Sequence, residues 1–585
     1  MRVAVLRKER CKPEDCNYLC MKFCPKVRSG VEAIKVGEDK KPIINEDLCI
    51  GCGICVKKCP FQALSIVNLP DALRKDVFHS YGKNQFRLFK FIVPRKGKVL
   101  GLIGENGIGK TTVLNILSGK LLPNLGREKV NHRDILDFFK GSEAMNYFRD
   151  LFQGRIKVSY KIQNISEFSR DEKVRDFLEE GFEEGERKEV SKLSSELRVS
   201  KLFSRKLMEL SGGELQKVLV VKCLSREANV YFLDEPCSYL DIGERLKIAR
   251  IIRKKLTTDN YLVVVDHDLI FMDLVSDFVQ IFYGRSNVYG IISSIYSTRV
   301  GINNYIEGYL PVENVKFREF PIKFERRSEV RKSSVNELVK WSDLKKRIGN
   351  FELVVKSSGI NEKEIVGVIG INGTGKTIFS KLISGLETPD SGEIYPKIKV
   401  AYKPQYLKVT NPDLKVRDII GKVEVGSLFW KQVILPLRVN LLSNLKLSEL
   451  SGGQLQKIAL VECLLREAEL YVFDEPSAYL DVEERLKVAK VLRDFLKFRE
   501  SSALIIDHDL LFIDYTSDRI IYFSGKPAEF GTCEGPLDVV TAMNFFLKEV
   551  GVTMRRDKHT NRPRVNKPNS RLDVEQRKQN KYYYV

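Results

Sequence analysis

Residues 207–246 read LMELSGGELQKVLVVKCLSREANVYFLDEPCSYLDIGERL, and residues 447–486 read LSELSGGQLQKIALVECLLREAELYVFDEPSAYLDVEERL. The two segments align without a gap at an offset of 240 residues. Each contains a glycine-rich turn followed by a long apolar run that ends in Asp-Glu. A repeat of this length indicates two copies of one structural unit. The chain is therefore predicted to contain two similar α/β domains in tandem.

A glycine-rich loop lies upstream of each repeat. GENGIGKT at 104–111 and GINGTGKT at 370–377 match GxxxxGK[ST], and each follows a buried-strand pattern. Such glycines let backbone amides wrap phosphates at the positive end of a helix. Lys110 and Lys376 are predicted to reach the β- and γ-phosphates, and the threonine after each lysine to supply a hydroxyl to Mg²⁺. The other predicted nucleotide-binding residues of these loops are Gly104, Asn106, Gly107, Gly109, Thr111, Thr112, Gly370, Asn372, Gly373, Gly375 and Thr377.

Two carboxylates end the apolar run in each repeat, in YFLDE and YVFDE. We expect Asp234 and Asp474 to hold Mg²⁺, directly or through water. Glu235 and Glu475 are expected to polarise the attacking water, as a general base does in phosphoryl transfer. The pairing of each loop with such a strand predicts ATP hydrolysis.

The turns LSGGE and LSGGQ resemble the signature of the ATP-binding cassette (ABC) family. The resemblance implies that the signature of one cassette caps the γ-phosphate bound in the other. Each ATP would then be sandwiched, with Lys110 facing Ser451 and Lys376 facing Ser211. The signature residues so identified are Ser211, Gly212, Gly213, Ser451, Gly452 and Gly453.

Further site residues follow from the same resemblance. His267 and His508 occupy the place of the family's switch histidine and are assigned to catalysis. The Q-loop residues would be Gln163 and Gln405, and the D-loop residues Asp241 and Asp481.

The resemblance also implies an aromatic residue stacked on each adenine. Tyr81, with Phe86 as an alternative, is the candidate in the first site, and Phe351 in the second. Core packing is an equally good explanation for these rings.

Eight of the 12 cysteines precede residue 60. The run at 49–60, CIGCGICVKKCP, has the bacterial ferredoxin spacing C-x2-C-x2-C-x3-C-P, in which the fourth cysteine ligates the other cluster. The sequence therefore predicts two [4Fe–4S] clusters in an N-terminal ferredoxin-like α+β domain. The predicted ligands are Cys11, Cys16, Cys20 and Cys59 for one cluster, and Cys49, Cys52, Cys55 and Cys24 for the other.

Two tetrathiolate zinc sites are the alternative, although zinc ribbons usually space two CxxC pairs rather than one run of four cysteines. The other four cysteines are scattered, and core packing is their expected role. They are Cys223, Cys237, Cys463 and Cys533.

The first cassette carries an insertion. Lys110 and Gln163 are 53 residues apart, whereas Lys376 and Gln405 are only 29 apart. The inserted segment, about 131–155, has the pattern of two short amphipathic helices hinged at Gly141. It could dock on a partner or pack as a helical hairpin on its own domain.

The net charge of +21 favours a polyanionic partner, such as nucleic acid, a ribonucleoprotein or an anionic membrane surface. A general solubilising bias is the alternative. No run of about 18 apolar residues occurs, so no membrane span is predicted. Without a secretory signal, the chain is expected in the cytoplasm, with a nuclear pool left open.

Both cassettes, the cysteine runs and several further stretches together resemble the ribosome-recycling ATPase family of archaea and eukaryotes, also called the RNase L inhibitor family. The stretches are CIGCGICVKKCPF, ALSIVNLP, GINNYIEGYLPVENVKFR and RPRVNKPNSRLDVEQ. The resemblance covers nearly the whole chain. It implies a helix–loop–helix at the insertion, which in the family contacts the small ribosomal subunit.

The family splits ribosomes after termination or stalling and stays on the small subunit towards initiation. The implied partners are the ribosome with its rRNA, the release factor or its stalled-ribosome paralogue, and initiation factors. The implied cofactors are two structural [4Fe–4S] clusters and Mg²⁺, with ATP as the nucleotide. A monomer with paired cassettes and no membrane partner is expected. Two alternatives are an ATPase coupled to iron–sulfur electron transfer and a non-catalytic translation scaffold.

Some positions depart from the family pattern. The first Q-loop reads YKIQN where KPQY is common, and the second signature has Gln454 where Glu is common. The second phosphate loop has Ile371 and Ile378 in place of an acidic residue and a threonine. Since Thr377 remains, we expect Mg²⁺ binding at the second site with an altered rate.

These features predict an ordered set of domains. The C-terminal segment has ten Lys and Arg against three Asp and Glu from 551 onward, so a disordered basic arm is the alternative to a packed hinge. The predicted domains are an iron–sulfur domain at 1–72, a first cassette at 73–295, a hinge at 296–325, a second cassette at 326–545 and a basic hinge segment at 546–585.

Overall fold

The structure is a computed structural model. It describes residues 2–37, 39–45, 48–68, 77–82, 85–92, 94–127, 129–318, 321–322, 324, 336–405 and 411–584. The predicted boundaries at 72/73 and 325/326 lie outside these residues.

The chain divides into two compact units. The first unit comprises Met1–Tyr239, Ile248–His267 and Val275–Phe320, and the second comprises Leu240–Lys247, Asp268–Leu274 and Pro321–Val585. Two short segments of the first cassette sequence thus belong to the second unit.

The cysteine-rich head opens the first unit and contains two small antiparallel sheets. Each of the four short helices among its described residues contains a cysteine of the two runs or directly follows one. The strands are Arg2–Leu6 with Leu64–Asn68 and Ile34–Val36 with Pro42–Ile44. The helices are Pro13–Cys16, Leu19–Lys22, Pro25–Arg28 and Ile54–Lys58.

Hydrogen bonds join this head to the first cassette within the same unit. Arg7 donates from Nη2 to the carbonyl of Ser286 at 3.1 Å. Arg285 donates from Nη1 to the carbonyl of Ile66 at 2.7 Å. The Ser286 hydroxyl in turn donates to the carbonyl of Asn106 at 2.5 Å, so one turn contacts both the head and the first phosphate loop.

A nine-stranded sheet forms the centre of the first cassette. Its middle strands are parallel and buried on both faces, as expected for apolar runs such as VLGLIG. In spatial order the strands are Val77–Ser80, Arg87–Phe89, Tyr289–Ile292, Phe278–Arg285, Val99–Gly104, Tyr261–Val265, Val230–Asp234 and Val158–Lys161, with Tyr296–Ser297 paired to Phe278–Arg285.

Helices flank this sheet. They are Lys110–Leu117, His132–Phe138, Glu143–Phe152, Val174–Glu179, Glu184–Glu196, Gly212–Ser225, Ile242–Lys255, Leu269–Val275 and Thr298–Glu307, with 3-10 turns at Ile165–Phe168, Val199–Leu202 and Leu207–Glu209. A two-stranded ladder, Tyr309–Leu310 with Val315–Lys316, follows them.

Two helices occupy the inserted segment, His132–Phe138 and Glu143–Phe152. Asn131 caps the first, because its side chain accepts from the amide of Asp134 at 2.9 Å. Gly141, at φ +81, lies between the helices. Their buried side chains join the core of the first cassette, so the hairpin packs on its own domain; these residues are Ile135, Phe139, Ala144, Tyr147 and Phe148.

The second cassette repeats this architecture with an eight-stranded sheet and a three-stranded sheet. The larger sheet runs Leu344–Ile348, Phe351–Val355, Phe530–Asp538, Arg519–Lys526, Ile365–Gly370, Ser502–Ile506, Leu470–Asp474 and Val400–Lys403, and the smaller runs Ser358–Asn361, Glu337–Trp341 and Ile394–Tyr395. The helices are Lys376–Ile383, Val416–Ile420, Trp430–Ile434, Gly452–Leu464, Val482–Arg499, Leu510–Thr516 and Val539–Val550, with 3-10 turns at Val439–Leu442 and Leu447–Glu449.

The C-terminal segment is folded. Met554–Arg556 pairs with Pro563–Val565 and Tyr583–Tyr584, and the helix Arg571–Lys578 lies between the last two strands in sequence. Arg562 is fully buried here. The described part of the tail therefore packs rather than forming a disordered arm.

Within the described residues, no helix is both long and apolar enough to cross a membrane.

Candidate functional sites

Each phosphate loop joins a central strand to a helix. Gly109 at φ +107 and Gly375 at φ +96 precede helices that begin at Lys110 and Lys376. A side chain at Gly104 could not be accommodated, because its Cβ would lie 2.7 Å from the carbonyl oxygen of Phe282. These backbone conformations explain why the loops need glycine.

The loop lysines are buried and fold back on the loops. Lys110 donates from Nζ to the carbonyls of Gly104 at 2.7 Å and Glu105 at 2.8 Å. Lys376 makes the same contacts with the carbonyls of Gly370 and Ile371, both at 2.8 Å. Burial lowers the pKa of Lys376 to about 8, against the opposing effect of Asp241 and neighbouring carboxylates. A phosphate group would satisfy these desolvated charges.

Other polar groups fix the loops from outside. The carbonyl of Gly107 accepts from the amide of Asn287 at 2.8 Å, and that of Gly373 accepts from Ala528 at 3.0 Å. The Oδ1 atom of Asn106 lies 2.9 Å from Nε2 of His267.

The carboxylates at the strand ends lie beside the loop threonines. Thr111 donates from its hydroxyl to Oδ2 of Asp234 at 3.1 Å. Burial and the neighbouring Glu235 raise the pKa of Asp234 to about 6. In the second cassette, burial and Glu475 raise the pKa of Asp474 to about 6, and a hydrogen bond from Thr377 opposes the shift.

These residues fit a divalent cation. Asp474 is fully buried, and its Oδ1 has no hydrogen-bond partner within the part of the chain that the structure describes. A buried carboxylate with one free oxygen beside a threonine hydroxyl is a hard oxygen donor set of the type that Mg²⁺ prefers.

Glu235 is held by three side chains. Its Oε1 accepts from Nε2 of Gln163 at 2.7 Å and lies 3.2 Å from Nε2 of His267. Its Oε2 accepts from the hydroxyl of Ser238 at 3.1 Å. Burial opposes ionisation, but His267, Lys110 and Ser238 outweigh it and lower the pKa of Glu235 to about 2. The carboxylate is thus ionised and oriented.

The second cassette reproduces part of this arrangement. Glu475 accepts at Oε1 from Nε2 of Gln405 at 2.6 Å and lies 3.3 Å from Nε2 of His508. Burial again opposes ionisation, and His508 and Lys376 lower the pKa of Glu475. In both cassettes the structure brings together the predicted glutamate, glutamine and histidine.

Sequence reasoning missed two lysines. Lys161 donates from Nζ to the carbonyls of Asp234 at 2.8 Å and Glu235 at 3.0 Å. Lys403 does the same for Asp474 at 2.8 Å and Glu475 at 3.2 Å. The shared Tyr-Lys-x-Gln pattern of the two Q-loops was the available signal.

Two buried glutamines were also missed. Gln216 donates from Nε2 to the carbonyl of Glu235 at 2.6 Å, and Gln456 to that of Glu475 at 2.7 Å. Both follow the signature turn in the repeated SGGxLQ. They connect the signature helix of each cassette to that cassette's own glutamate.

The signature turns begin long helices. Ser211 accepts at its hydroxyl from the amide of Glu214 at 3.3 Å, and Ser451 from that of Gln454 at 3.4 Å. Gly453 is required by a close approach, because its Cβ would lie 2.7 Å from the carbonyl of Tyr479. Long helices therefore begin at Gly212 and Gly452, and a helix N-terminus is a type of site that favours anions. That each completes the site of the other cassette stays a prediction.

The D-loop aspartates cap the helices that follow. Asp241 and Asp481 each accept at Oδ1 from the amide three residues later, at 2.9 Å. Within the second unit, Asp241 also accepts at Oδ2 from the amide of Asn372 at 3.2 Å. The D-loop of the first repeat thereby touches the second phosphate loop.

The candidate adenine-stacking residues differ in their surroundings. Tyr81 is half exposed, and its hydroxyl lies 3.1 Å from that of Thr112. Phe86 and Phe351 instead pack under the loop glycines Gly109 and Gly375 and against the two cassette cores. Phe86, rather than Tyr81, is therefore the structural counterpart of Phe351.

The head brings its cysteines together in two groups of four. Burial and the neighbouring thiols Cys59 and Cys16 raise the pKa of Cys11 to about 11. Burial and Cys11, Cys16 and Cys59 raise that of Cys20 to about 12. This group is the first predicted ligand set, and it includes Cys59 from the second cysteine run.

The second group, which contains Cys24, Cys49, Cys52 and Cys55, also consists of neighbouring thiols. Burial and the thiols of Cys49, Cys52 and Cys24 raise the pKa of Cys55 to about 12. A pocket open to solvent is lined by all four cysteines of this group. Burial and the neighbouring thiols disfavour the thiolate form of Cys55, and the positive charge of bound iron would restore it, so the residues fit an iron–sulfur cluster.

The remaining four cysteines are buried in the cassettes. The Cys223 thiol, for example, lies 3.3 Å from the Ser159 hydroxyl, inside the first cassette.

Sequence comparisons match known families to the two cassettes and to the cysteine-rich head. The family described as "ABC transporter" matches residues 92–238 and 356–478. The family described as "4Fe-4S binding domain" matches residues 42–65, and "Possible Fer4-like domain in RNase L inhibitor, RLI" matches residues 1–32.

Similar proteins cover the whole chain. An uncharacterized ABC transporter ATP-binding protein of Methanocaldococcus jannaschii is 44% identical, over all of this chain and 98% of that protein. Translation initiation factor RLI1 of Saccharomyces cerevisiae is 39% identical, over 100% and 98%. Archaeal ABCE1, described in a ribosome-bound state with Pelota, matches with a TM-score of 0.91 and 42% identity over 100% of this chain and 99% of that one.

The predicted fold class is confirmed, with two ABC domains in tandem and an N-terminal iron–sulfur domain. The cassettes imply ATP and Mg²⁺ as ligands. This chain belongs to the RNase L inhibitor family of twin-cassette ABC-type ATPases.

Proposed function

We propose that this chain is an ATP-driven factor that splits ribosomes into subunits after termination or stalling. The observation that carries this proposal is the end-to-end likeness, at a TM-score of 0.91, to archaeal ABCE1 in its ribosome-bound state with Pelota. The similar yeast protein is named as a translation initiation factor, which supports a continued association with the small subunit.

Hydrolysis is assigned to the glutamates that end the two strands. Glu235 and Glu475 each accept a proton from the attacking water, while Lys110 and Lys376 stabilise the charge of the phosphates. His267 and His508 contact the γ-phosphate, and Gln163 and Gln405 turn towards the nucleotide when it binds. The contacts of each glutamate with its glutamine and histidine support these roles.

Mg²⁺ would be held by Thr111 and Asp234 in the first site and by Thr377 and Asp474 in the second. Bound there, it supplies positive charge to the phosphate oxygens. The signature serines Ser211 and Ser451 cap the nucleotide of the opposite cassette. Asp241, in the D-loop of the first repeat, contacts the amide of Asn372 in the second phosphate loop. This contact supports sites that are each completed by the other cassette.

Adenine stacking is assigned to Phe351 in the second site and to Tyr81 in the first, with Phe86, the counterpart of Phe351, as the alternative. The exposed ring of Tyr81 beside Thr112 supports the assignment of Tyr81.

The two thiol groups are assigned to two [4Fe–4S] clusters. Cys11, Cys16, Cys20 and Cys59 hold one, and Cys24, Cys49, Cys52 and Cys55 hold the other. The clusters stiffen a head of about 60 residues, which is small for a rigid domain. A stiff head can transmit the closing motion of the cassettes without bending.

The partners follow from charge and likeness. A net charge of +21 suits ribosomal RNA. The insertion helices 131–155 are assigned to the small subunit, and the release factor or its stalled-ribosome paralogue shares the intersubunit space beforehand. The chain acts as a monomer in the cytoplasm and hands the small subunit to initiation factors.

Sedimentation of purified ribosomes tests this function. The chain and a release factor are added with ATP, with a non-hydrolysable analogue or without nucleotide, and subunits are separated on a sucrose gradient. ATP should convert intact ribosomes to subunits. Intact ribosomes at every nucleotide condition would reject the proposal. Cycling of the cluster absorbance with ATP turnover would instead favour electron transfer.

A further inference from the structure

The two repeats differ by one hydroxyl beside the glutamate. The segments after Glu235 and Glu475 read PCSYLD and PSAYLD, so Ser238 in the first corresponds to Ala478 in the second. The backbone is otherwise matched. Both glutamates have φ +49, and Tyr239 and Tyr479 have φ +65 and +62.

The Ser238 hydroxyl binds the oxygen that the other partners leave free. Oε1 of Glu235 faces Gln163 and His267, whereas Oε2 accepts from Ser238 at 3.1 Å. Alanine at 478 offers no such donor to Glu475. The nearby Ser477 hydroxyl cannot replace it, because it donates to Oδ1 of Asp507 at 2.7 Å.

The difference matters once nucleotide binds. On the proposed function, Gln163 and His267 turn from Oε1 to the nucleotide. Only Ser238 then keeps a hydrogen bond to the Glu235 carboxylate, through Oε2, and Oε1 is left to face the attacking water. Among the described residues of the second site, no side-chain hydroxyl holds the Glu475 carboxylate in this way.

We propose that Ser238 is a positioning residue that orients the general base of the first site, and that its replacement by Ala478 makes the two sites unequal in hydrolysis. This inference rests on the proposed role of Glu235 and Glu475. In each site water attacks the γ-phosphorus and gives its proton to the glutamate. The bond to the β–γ bridging oxygen breaks, and ADP and inorganic phosphate leave.

Reciprocal substitutions test the proposal with matched controls. Ser238→Ala is measured with the second site silenced by Glu475→Gln, and Ala478→Ser with the first silenced by Glu235→Gln. Both positions are partly exposed, so the exchange of a hydroxyl creates neither a buried cavity nor a clash. Steady-state ATP turnover by the full chain gives kcat and KM for the remaining site.

Ser238→Ala should lower kcat of the first site about tenfold and leave KM within about twofold, because a lost hydrogen bond to a charged group disorders the base without touching ATP. Ala478→Ser should raise kcat of the second site. Ser238→Thr retains a hydroxyl and should restore most of the first-site rate. A merely structural role would instead affect Thr and Ala variants alike.

The inference is overturned if Ser238→Ala leaves kcat unchanged, or if Ser238→Thr is as slow as Ser238→Ala. Failure of the proposed function would give a different experimental result. If Glu235→Gln and Glu475→Gln together leave ATP turnover intact, the glutamates are not the bases, whatever the serine variants do.

Discussion

Arg562 donates from Nη1 to Oδ2 of Asp273 at 2.7 Å, and both side chains are fully buried. Asp273 lies six residues after His267. The aspartate six residues after His508 is Asp514, and it accepts from Nη2 of Arg556 at 2.7 Å. The C-terminal segment thus contacts the same position of both repeats, with Arg562 and Arg564 on Asp273 and Arg556 on Asp514.

Arg562→Met should destabilise the packing of the C-terminal segment by about 1.5–3 kcal/mol, because the buried Asp273 carboxylate loses the hydrogen bond from Arg562 and keeps the one from Arg564 at 3.2 Å. Hydrogen exchange of residues 551–584 measures the effect. Arg571→Met is the matched control, since the Arg571 side chain is 90% exposed and should tolerate the change. Equal exchange in the two variants would show that the buried pair does not hold the segment.

Glu235→Gln should lower ATP turnover at the first site by about 10²–10⁴-fold, the usual contribution of a general base. The amide preserves shape and hydrogen bonding but cannot accept the proton. ATP should still bind, so filter binding of labelled nucleotide is expected to be unchanged. Glu184→Gln, at an 86% exposed side chain, is the control and should be silent. Unimpaired single-site turnover in Glu235→Gln contradicts the assignment.

Cys59→Ala should remove one cluster and leave the other. Cys59 lies in the second cysteine run but groups with Cys11, Cys16 and Cys20. Anaerobically purified protein should contain about eight iron atoms per chain and the variant about four. Cys223→Ala, in the cassette core, should keep the full content. Zinc in place of iron, or unchanged iron in Cys59→Ala, would overturn the ligand assignment.

The sequence predicts the two cassettes and the thiol grouping because both depend on short, repeated spacings. The contacts of Lys161 and Gln216 with the glutamate carbonyl were not predicted, since they depend on backbone atoms that no residue pattern reports. The local composition from residue 551 onward also could not decide between a disordered basic arm and a packed segment. Arg562 pairs with Asp273, which lies 289 residues away in the sequence. No local sequence pattern predicts a contact over that distance.

The sequence also could not decide which aromatic residue stacks on adenine in the first site. Both Tyr81 and Phe86 lie near the first loop in sequence, and only the packing of Phe86 under Gly109 separates their roles.

Acid should weaken the first cassette through His79. Its ring is buried, neither ring nitrogen has a hydrogen-bond partner among the described residues, and burial lowers its pKa from 6.5 to about 4. Below pH 6.5 the unfolded chain takes up a proton that the folded chain refuses, so stability falls as the pH drops towards about 4. This contribution is fully retained above pH 6.5.

His79→Phe should therefore reduce the loss of thermal stability between pH 7 and pH 5, which scanning calorimetry of both proteins at the two pH values would measure. His132→Phe is the control, because it changes a histidine whose ring stacks on Phe152 near the surface. An acid-induced loss in His79→Phe as large as in the wild-type chain would exclude this origin.

Splitting of ribosomes by the Glu235→Gln/Glu475→Gln double variant tests the central claim most directly. With ATP and a release factor, the account predicts that the variant is trapped with bound nucleotide on the small subunit and that repeated rounds of splitting cease. Sucrose-gradient fractions probed for the chain and for labelled ATP would show both. If the double variant splits ribosomes and leaves the small subunit as fast as the wild-type chain, hydrolysis at the two glutamates does not drive recycling.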